Sequence, residues 1–430
     1  FNSRVGDGGI SSFQAFCVGL ASRVGTGNIA GVAIALTVGG PGAIFWMWMV
    51  ALIGMATALI EATLAQIFKV RAGDGTFRGG PAYYIQRGLG SRAGGVLFAV
   101  LLVFTFGFAF NMVQANAIAD VLNTTHAIEQ HYTTIGLVLL AAPVLFGGVR
   151  RVAKVAEVVL PLMALAYVLL AFVIIVLNLN HLPRVFTEII GGAFGLTQMA
   201  GGFTGGIAAA MLNGVKRGLF SNEAGMGSAP NVAATATVSH PVKQGLIQSL
   251  GVFVDTMIVC TATAFIILVS GPEIYDPHAP AKMAGASLTQ AAVAASLGSW
   301  TTWMMTILVF VFAFSSVLGN YVYAEVNLFF LGAKKQAINV FRVLVLIAIG
   351  IGALARLDAV WGIADISMGL MAIVNLIAIV LLGKWAFAAL RNYHLQAEAG
   401  EDPEFIAAEA NLPGHLDGDI WTRSRSSLVR

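Results

Sequence analysis

Ten apolar segments alternate with short polar ones along the chain, at about 13–38, 43–68, 94–121, 132–146, 152–177, 194–212, 245–269, 300–331, 337–354 and 360–385. Most reach the roughly 20 residues that a helix needs to cross a bilayer, and the fourth is short. Two are interrupted. The first carries Val24-Gly25-Thr26-Gly27-Asn28-Ile29-Ala30-Gly31 at its middle, and the sixth carries Gly201, Gly202, Gly205 and Gly206. Each glycine inside a helix costs about 1 kcal/mol against alanine. Backbone freed at membrane depth is tolerated only against protein or a water-filled cavity. The interruptions therefore predict two broken helices that offer N–H and C=O groups to a solute. Close helix packing through small residues is the alternative reading of the first.

Each interrupted segment is followed by four ordinary ones. Five is odd, so the second set of five enters the membrane from the opposite side, giving an inverted repeat with its site between the two breaks. The expected units are residues 1–178, residues 179–392 and a cytoplasmic tail, 393–430, that is charged and punctuated by Pro and Gly. Charge supports the count of ten. With a cytoplasmic N-terminus, sixteen Lys and Arg fall in inside loops, Lys216 and Arg217 among them, and only Arg184, Lys282 and Arg356 fall outside. One span more or fewer destroys that bias. Trp46, Trp48, Trp300 and Trp303 fall near segment ends, as interfacial anchors do.

Composition settles the class: 58% of residues are hydrophobic and only 10% charged, against about 25% charged in soluble domains. This is an all-α polytopic membrane protein with no reason to bind nucleic acid. No signal peptide is expected in the polar, Gly-rich residues 1–11, and Cys17 and Cys260 fall inside apolar segments as small core residues. The seven histidines, His126, His131, His181, His240, His278, His394 and His415, fall in predicted loops or the tail. No nucleophile elbow, zinc motif or phosphate-binding loop occurs. The chain is not expected to be an enzyme, to hold a cofactor or to hydrolyse ATP, so a driving force has to come from an ion gradient.

Ionisable groups within spans are costly and functional by default. Glu61, in the second span, is expected to accept hydrogen bonds from the freed amides of the first break and hold it open. Arg23 abuts that break and is expected to pair with an acid or a carbonyl. Glu157, Asp255 and Glu325 are read as snorkelling or ion-paired near the membrane surfaces, outside the site, and Asp365 falls in span ten. Asn111 and Gln114 share a face of the third span, with Gln114 the better donor or acceptor for a solute. In the eighth span the adjacent hydroxyls of Ser315 and Ser316 are hard oxygen ligands suited to a monovalent cation, though adjacent serines also back-bond to their own turn. Asn320, one turn beyond Ser316, is expected against the solute. A broken helix presents positive N–H ends and negative C=O ends side by side. A zwitterionic amino acid and Na⁺ fit such a break together, the carboxylate at Thr26, Gly27 and Asn28.

Arg23-Val-Gly-Thr-Gly-Asn-Ile-Ala-Gly-Val-Ala, Gly39-Gly-Pro-Gly-Ala-Ile-Phe-Trp-Met-Trp, Gly54-Met-Ala-Thr with Glu61, Gly75-Thr-Phe-Arg-Gly-Gly-Pro and Gly218-Leu-Phe-Ser-Asn-Glu-Ala-Gly-Met-Gly-Ser-Ala resemble the alanine or glycine:cation symporter family, over nearly the whole chain to about Trp385. The resemblance implies a LeuT-like fold of five plus five helices, Na⁺ or sometimes H⁺ coupling, small neutral amino acids as substrates and a bacterial or archaeal inner membrane. By position it implies Na⁺ on the carbonyls of Ala21, Val24 and Phe312 and the hydroxyls of Ser315 and Ser316. The substrate would meet Thr26, Gly27, Asn28, Gln114, Ser316, Asn320 and the segment 202–205 with Phe203. Two departures stand out. The family's additional hydrophobic helix before the first broken one is missing from this sequence. Asn320 stands where the family often has a large aromatic, which leaves room for a substrate such as glutamine. A monomeric Na⁺ symporter is the expectation; a proton-coupled transporter and a passive glycine-lined channel are the alternatives.

Overall fold

The computed structural model describes residues 10–422 except 74, 148, 196–204, 278, 280–281 and 419, with side chains undescribed at 149–160 and 205. Among the described residues, seven helices are long and apolar enough to cross a membrane: Gly42–Ile67, Arg92–His126, Gln130–Gly147, Pro241–Val269, Thr301–Phe330, Lys335–Leu354 and Leu357–Glu398. Two bent pairs pass the same test together. Ser12–Arg23 meets Gly27–Gly39 at 46°, and Pro161–Leu177 meets Leu179–Ala193 at 76°. Large apolar side chains such as Ile53, Leu139 and Val380 point outward from these helices, as lipid-facing positions must.

The first break is where the glycines put it. Ser11 caps the opening helix reciprocally with Gln14, and the helix stops at Arg23. Val24 leaves helical geometry at ψ 86°, and a π-helical stretch, Gly27–Gly31, restarts the chain toward Gly39.

The second break is not where the glycines put it. Gly205 and Gly206 open an unbroken helix, Gly205–Asn222, while Gly201, Gly202 and Phe203 lie outside the described residues. The helix ends instead at Glu223-Ala-Gly-Met-Gly, where Glu223, Gly225 and Gly227 take positive φ of 58°, 83° and 80°. Three left-handed residues in alternation stop a helix more firmly than glycines that keep helical angles. Four residues of helix, Pro230–Ala233, follow. The sixth span is thus displaced toward the C-terminus, and Lys216 and Arg217 move from the expected inside loop into a helix. There Arg217 is buried, pairs with Asp365 and stacks over Trp361 at 4.3 Å.

Several other expectations shift. Trp300 and Trp303 are exposed as anchors are, but Trp46 and Trp48 are half-buried and donate to the Ala193 carbonyl (3.4 Å) and the Thr261 hydroxyl (2.9 Å). His126 ends a helix and stacks on Trp303 at 3.6 Å. The tail is a folded strap. Phe405 donates its amide to the Ser239 carbonyl at 2.9 Å, and the Trp421 indole donates to the Gln66 carbonyl at 3.1 Å. Buried His240 lies edge-on to Tyr393 and Phe405 beneath it; burial pushes its pKa down to about 4, so it is neutral there.

Candidate functional site

The two breaks face each other. A Cβ on Gly27 would stand 3.0 Å from Phe220 and 3.1 Å from the Ser221 backbone, and Ser22 donates its hydroxyl to Glu223 at 2.6 Å. Around them three helices carry π-helical stretches, Gly27–Gly31, Thr105–Ala109 and Phe253–Cys260. Such stretches widen the helix and free carbonyls, and they concentrate at functional sites.

Asn28, not Glu61, organises the first break. Its side-chain oxygen accepts the Gly25 amide at 2.9 Å, and its amide group donates to Asp255 at 2.7 Å. Glu61 is buried as expected but supports the other break. Its carboxylate accepts from the Gly225 amide (3.3 Å) and from Asn375 (2.9 Å), and Asn375 is held in turn by Gly225 and Tyr84. Since Asn28 already caps the first break from within, the freed amide left for Glu61 is that of Gly225 in the second break. Arg23 bonds a carbonyl, that of Gln248 at 3.2 Å, and its Nε and Nη2 have no hydrogen-bond partner among the described residues.

The structure brings Thr26 and Gln114 together: the Gln114 carbonyl oxygen accepts from the Thr26 hydroxyl (2.9 Å) and amide (3.3 Å). It brings Ser316 into the first break, its hydroxyl 3.1 Å from each of the carbonyls of Ala21, Ser22 and Phe312. One hydrogen cannot satisfy three acceptors, so oxygens converge here in excess of the protons available. Ser22 joins this group although only Ala21 and Val24 were expected from the first helix. Ser315 does not: half-buried, it bonds back to Phe312 at 2.9 Å, the local alternative open to any helical serine. Val24 donates its amide to Leu20 at 2.7 Å. Asn320 is held on both sides, accepting from Ser22 (3.1 Å) and donating to Asn111 (3.0 Å), which itself bonds the Gly107 carbonyl.

Two carboxylates that sequence reasoning left out sit at the centre. Asp255 is fully buried and accepts from Asn28, Ser221 (2.9 Å) and Thr256 (2.8 Å), far from any surface role. Glu223 bridges Ser22 and Ser228 (2.7 Å). The signal for Glu223 was present in Asn222-Glu-Ala-Gly-Met-Gly-Ser before Pro230, a helix stop followed by a helix start.

Residues 2–407 match the model of the sodium:alanine symporter family. The chain belongs to that family. It is therefore a multi-pass membrane transporter and not an enzyme. It is 52% identical over 414 residues to the probable sodium/glutamine symporter GlnT of Bacillus subtilis, covering 96% of this chain and 84% of that one. It is 40% identical over 380 residues to the sodium/alanine symporter AgcS of Methanococcus maripaludis, covering 87% and 82%. Among solved structures it resembles MhsT in complex with L-phenylalanine, with a TM-score of 0.62 at 14% identity over 92% of this chain and 93% of that one. That likeness establishes the LeuT-type fold.

Proposed function

We propose that this transporter couples Na⁺ entry to uptake of a small neutral amino acid, alanine, glycine or glutamine, by alternating access in the inner membrane, with both described ends on the cytoplasmic side. The observation that carries the reading is Ser316. Its hydroxyl meets carbonyls at the end of one half-helix while the amides opening the other half begin three residues on, at Thr26 and Gly27. A cation suits the first group and a carboxylate the second, each reducing the other's desolvation cost. The two breaks are read as matching elements of inverted repeats, 1–178 and 179–392, that rock about the site. Homologues named for sodium with glutamine or alanine support the same solutes.

Labelled alanine, glycine and glutamine offered to proteoliposomes should accumulate only under an inward Na⁺ gradient, not with choline; accumulation without a gradient overturns the coupling. Ser316→Ala is expected to raise the Na⁺ concentration for half-maximal uptake about tenfold, the loss of one ligand of about 1.4 kcal/mol. Amino-acid affinity at saturating Na⁺ should change little, and the reverse ranking refutes this assignment. Asn320→Trp fills the space beside Ser22 and Asn111 and should narrow the substrate range toward glycine and alanine in competition assays. An unchanged profile places Asn320 outside the pocket.

A further inference from the structure

We infer that the strap after the last span, residues 399–422, is a latch that holds the transporter shut on its inner face; the inference rests on the alternating-access reading above. Opening inward requires the inner ends of the two repeats to part. They meet at the loop 234–240, which runs from the second break to the helix Pro241–Val252. Ile10, at the foot of the first half-helix, donates its amide to the Thr235 carbonyl at 3.2 Å and accepts the Thr237 amide at 3.0 Å. Gln66, at the inner end of Gly42–Ile67, donates to the carbonyls of Ala233 (2.5 Å) and Ala236 (3.0 Å). Lys69 donates to Gln66 Oε1 at 2.7 Å and to the Ala236 carbonyl at 3.0 Å. Each of these bonds crosses from the first repeat to the second. They hold the repeats together only while water is kept off them, because solvent competes for every donor and acceptor it can reach.

The strap keeps water off. The helix Leu357–Glu398 ends in a reversal at Gly400, which takes φ 80°. Gln396 pins the returning chain, donating to the Glu404 carbonyl at 2.9 Å and accepting its amide at 2.8 Å. On the second repeat, Ser239 donates its hydroxyl to the Pro403 carbonyl at 3.0 Å, and Lys243 pairs with Asp402. On the first, Arg87 donates to the Asp417 carbonyl, and the Trp421 ring lies 4.8 Å from Lys69 Nζ while its indole holds the Gln66 carbonyl. The two ends of the strap are joined to each other. Phe405 meets the Trp421 ring edge-on at 5.4 Å, and Ala407 donates its amide to the Trp421 carbonyl at 2.9 Å. The result is a closed brace from one repeat to the other. Charge favours the same placement: residues 401–422 carry six acidic residues and no Lys or Arg, and they lie over Lys69, Arg87 and Lys243.

Trp421 is the residue on which the brace depends. It is buried, it covers Lys69, and it bonds the backbone of Gln66, the two side chains that grip Ala236. Without it, water reaches those grips and the inner face opens more readily.

The test reads that opening at native Cys17. This thiol is buried in the first half-helix, about two turns beyond Ile10, so its labelling reports movement of the half-helix and not uncovering of the surface beneath the strap. Full-length protein in proteoliposomes is exposed on its inner face to a membrane-impermeant maleimide, and the Cys17 peptide is quantified by mass spectrometry. Trp421→Ala should label about tenfold faster than wild type, the loss of one hydrogen bond to a charged group, while Na⁺ still raises its melting temperature. Should Trp421→Ala not fold, Asp402→Asn frees the other end of the strap at an exposed ion pair and should label about twofold faster. An unchanged Cys17 rate in folded Trp421→Ala, or in Asp402→Asn standing in for it, overturns the latch. So does faster labelling in a variant that no longer responds to Na⁺ when wild type does, which would mark general loosening of the bundle. A wild-type flux that fails to saturate, as through a pore, would instead refute the alternating-access reading itself.

Discussion

Gly25→Ala is expected to abolish Na⁺-driven uptake while leaving a folded protein. A Cβ at this position would stand 2.0 Å from Ser316 Oγ and 3.1 Å from Ser316 Cβ. The two helices cannot simply separate, because they interlock a turn away. The position of a Cβ on Gly319 is 3.0 Å from the backbone of Ser22, so each helix seats a serine in the other's glycine. The alanine methyl therefore drives the Ser316 hydroxyl off the carbonyls of Ala21 and Ser22. Overpacking of this kind costs about 1–3 kcal/mol, which a membrane bundle survives. A ligand displaced by an ångström loses about 100-fold in rate. Uptake in proteoliposomes should fall by that order, and Na⁺ should no longer raise the thermal stability of the purified protein. The pair Gly25→Ala with Ser316→Gly removes the clash and should recover stability without recovering Na⁺ dependence. Retained Na⁺ dependence in Gly25→Ala would mean that the Ser316 hydroxyl is not where the ion sits.

The contrast between the two breaks shows what the sequence could and could not convey. Apolar runs of span length announce membrane helices directly, because lipid exposure imposes no other pattern, and, the sixth apart, the described helices lie close to where the runs place them. The first break was legible since its glycines are also its contact points: Gly25 receives Ser316, and Gly27 receives Phe220. At 201–206 the same reasoning failed. Glycine marks where a helix can yield, not where it does, and Gly205 and Gly206 stay helical. The real stop is enforced from elsewhere in the chain, by Glu61 and Asn375 on Gly225 and by Ser22 on Glu223. Gly225, Gly227 and Pro230 are its local trace, but the contacts that enforce it are distant in sequence. Asp255 was misplaced for a related reason. It lies mid-way along its apolar run, 245–269, and the groups that hold it, Asn28 and Ser221, are again distant in sequence.

Glu223 offers the sharper experiment on that second break. It is a buried non-glycine residue at φ 58°, a conformation costing an L-residue about 1–2 kcal/mol. Strain of this kind persists only where its surroundings over-determine it. Here the surroundings are two hydroxyls, Ser22 at 2.6 Å from one half-helix and Ser228 at 2.7 Å from the other side of the same break. Glu223→Ala removes both acceptors and keeps the strain. Ser22 keeps Asn320 as an acceptor at 3.1 Å, so one buried hydroxyl, that of Ser228, is left without its partner, and a fall of about 1–3 kcal/mol and loss of uptake are expected. Glu223→Gly loses the same bonds but relieves the backbone, and should unfold later than the alanine variant by about 1 kcal/mol. Glu223→Gln keeps the shape and loses the charge. If the charge offsets a cation at Ser316, this variant should fold normally, transport slowly and need more Na⁺. Wild-type transport by Glu223→Gln would assign the residue to architecture alone. Equal instability of the alanine and glycine variants would show that its backbone is not under strain.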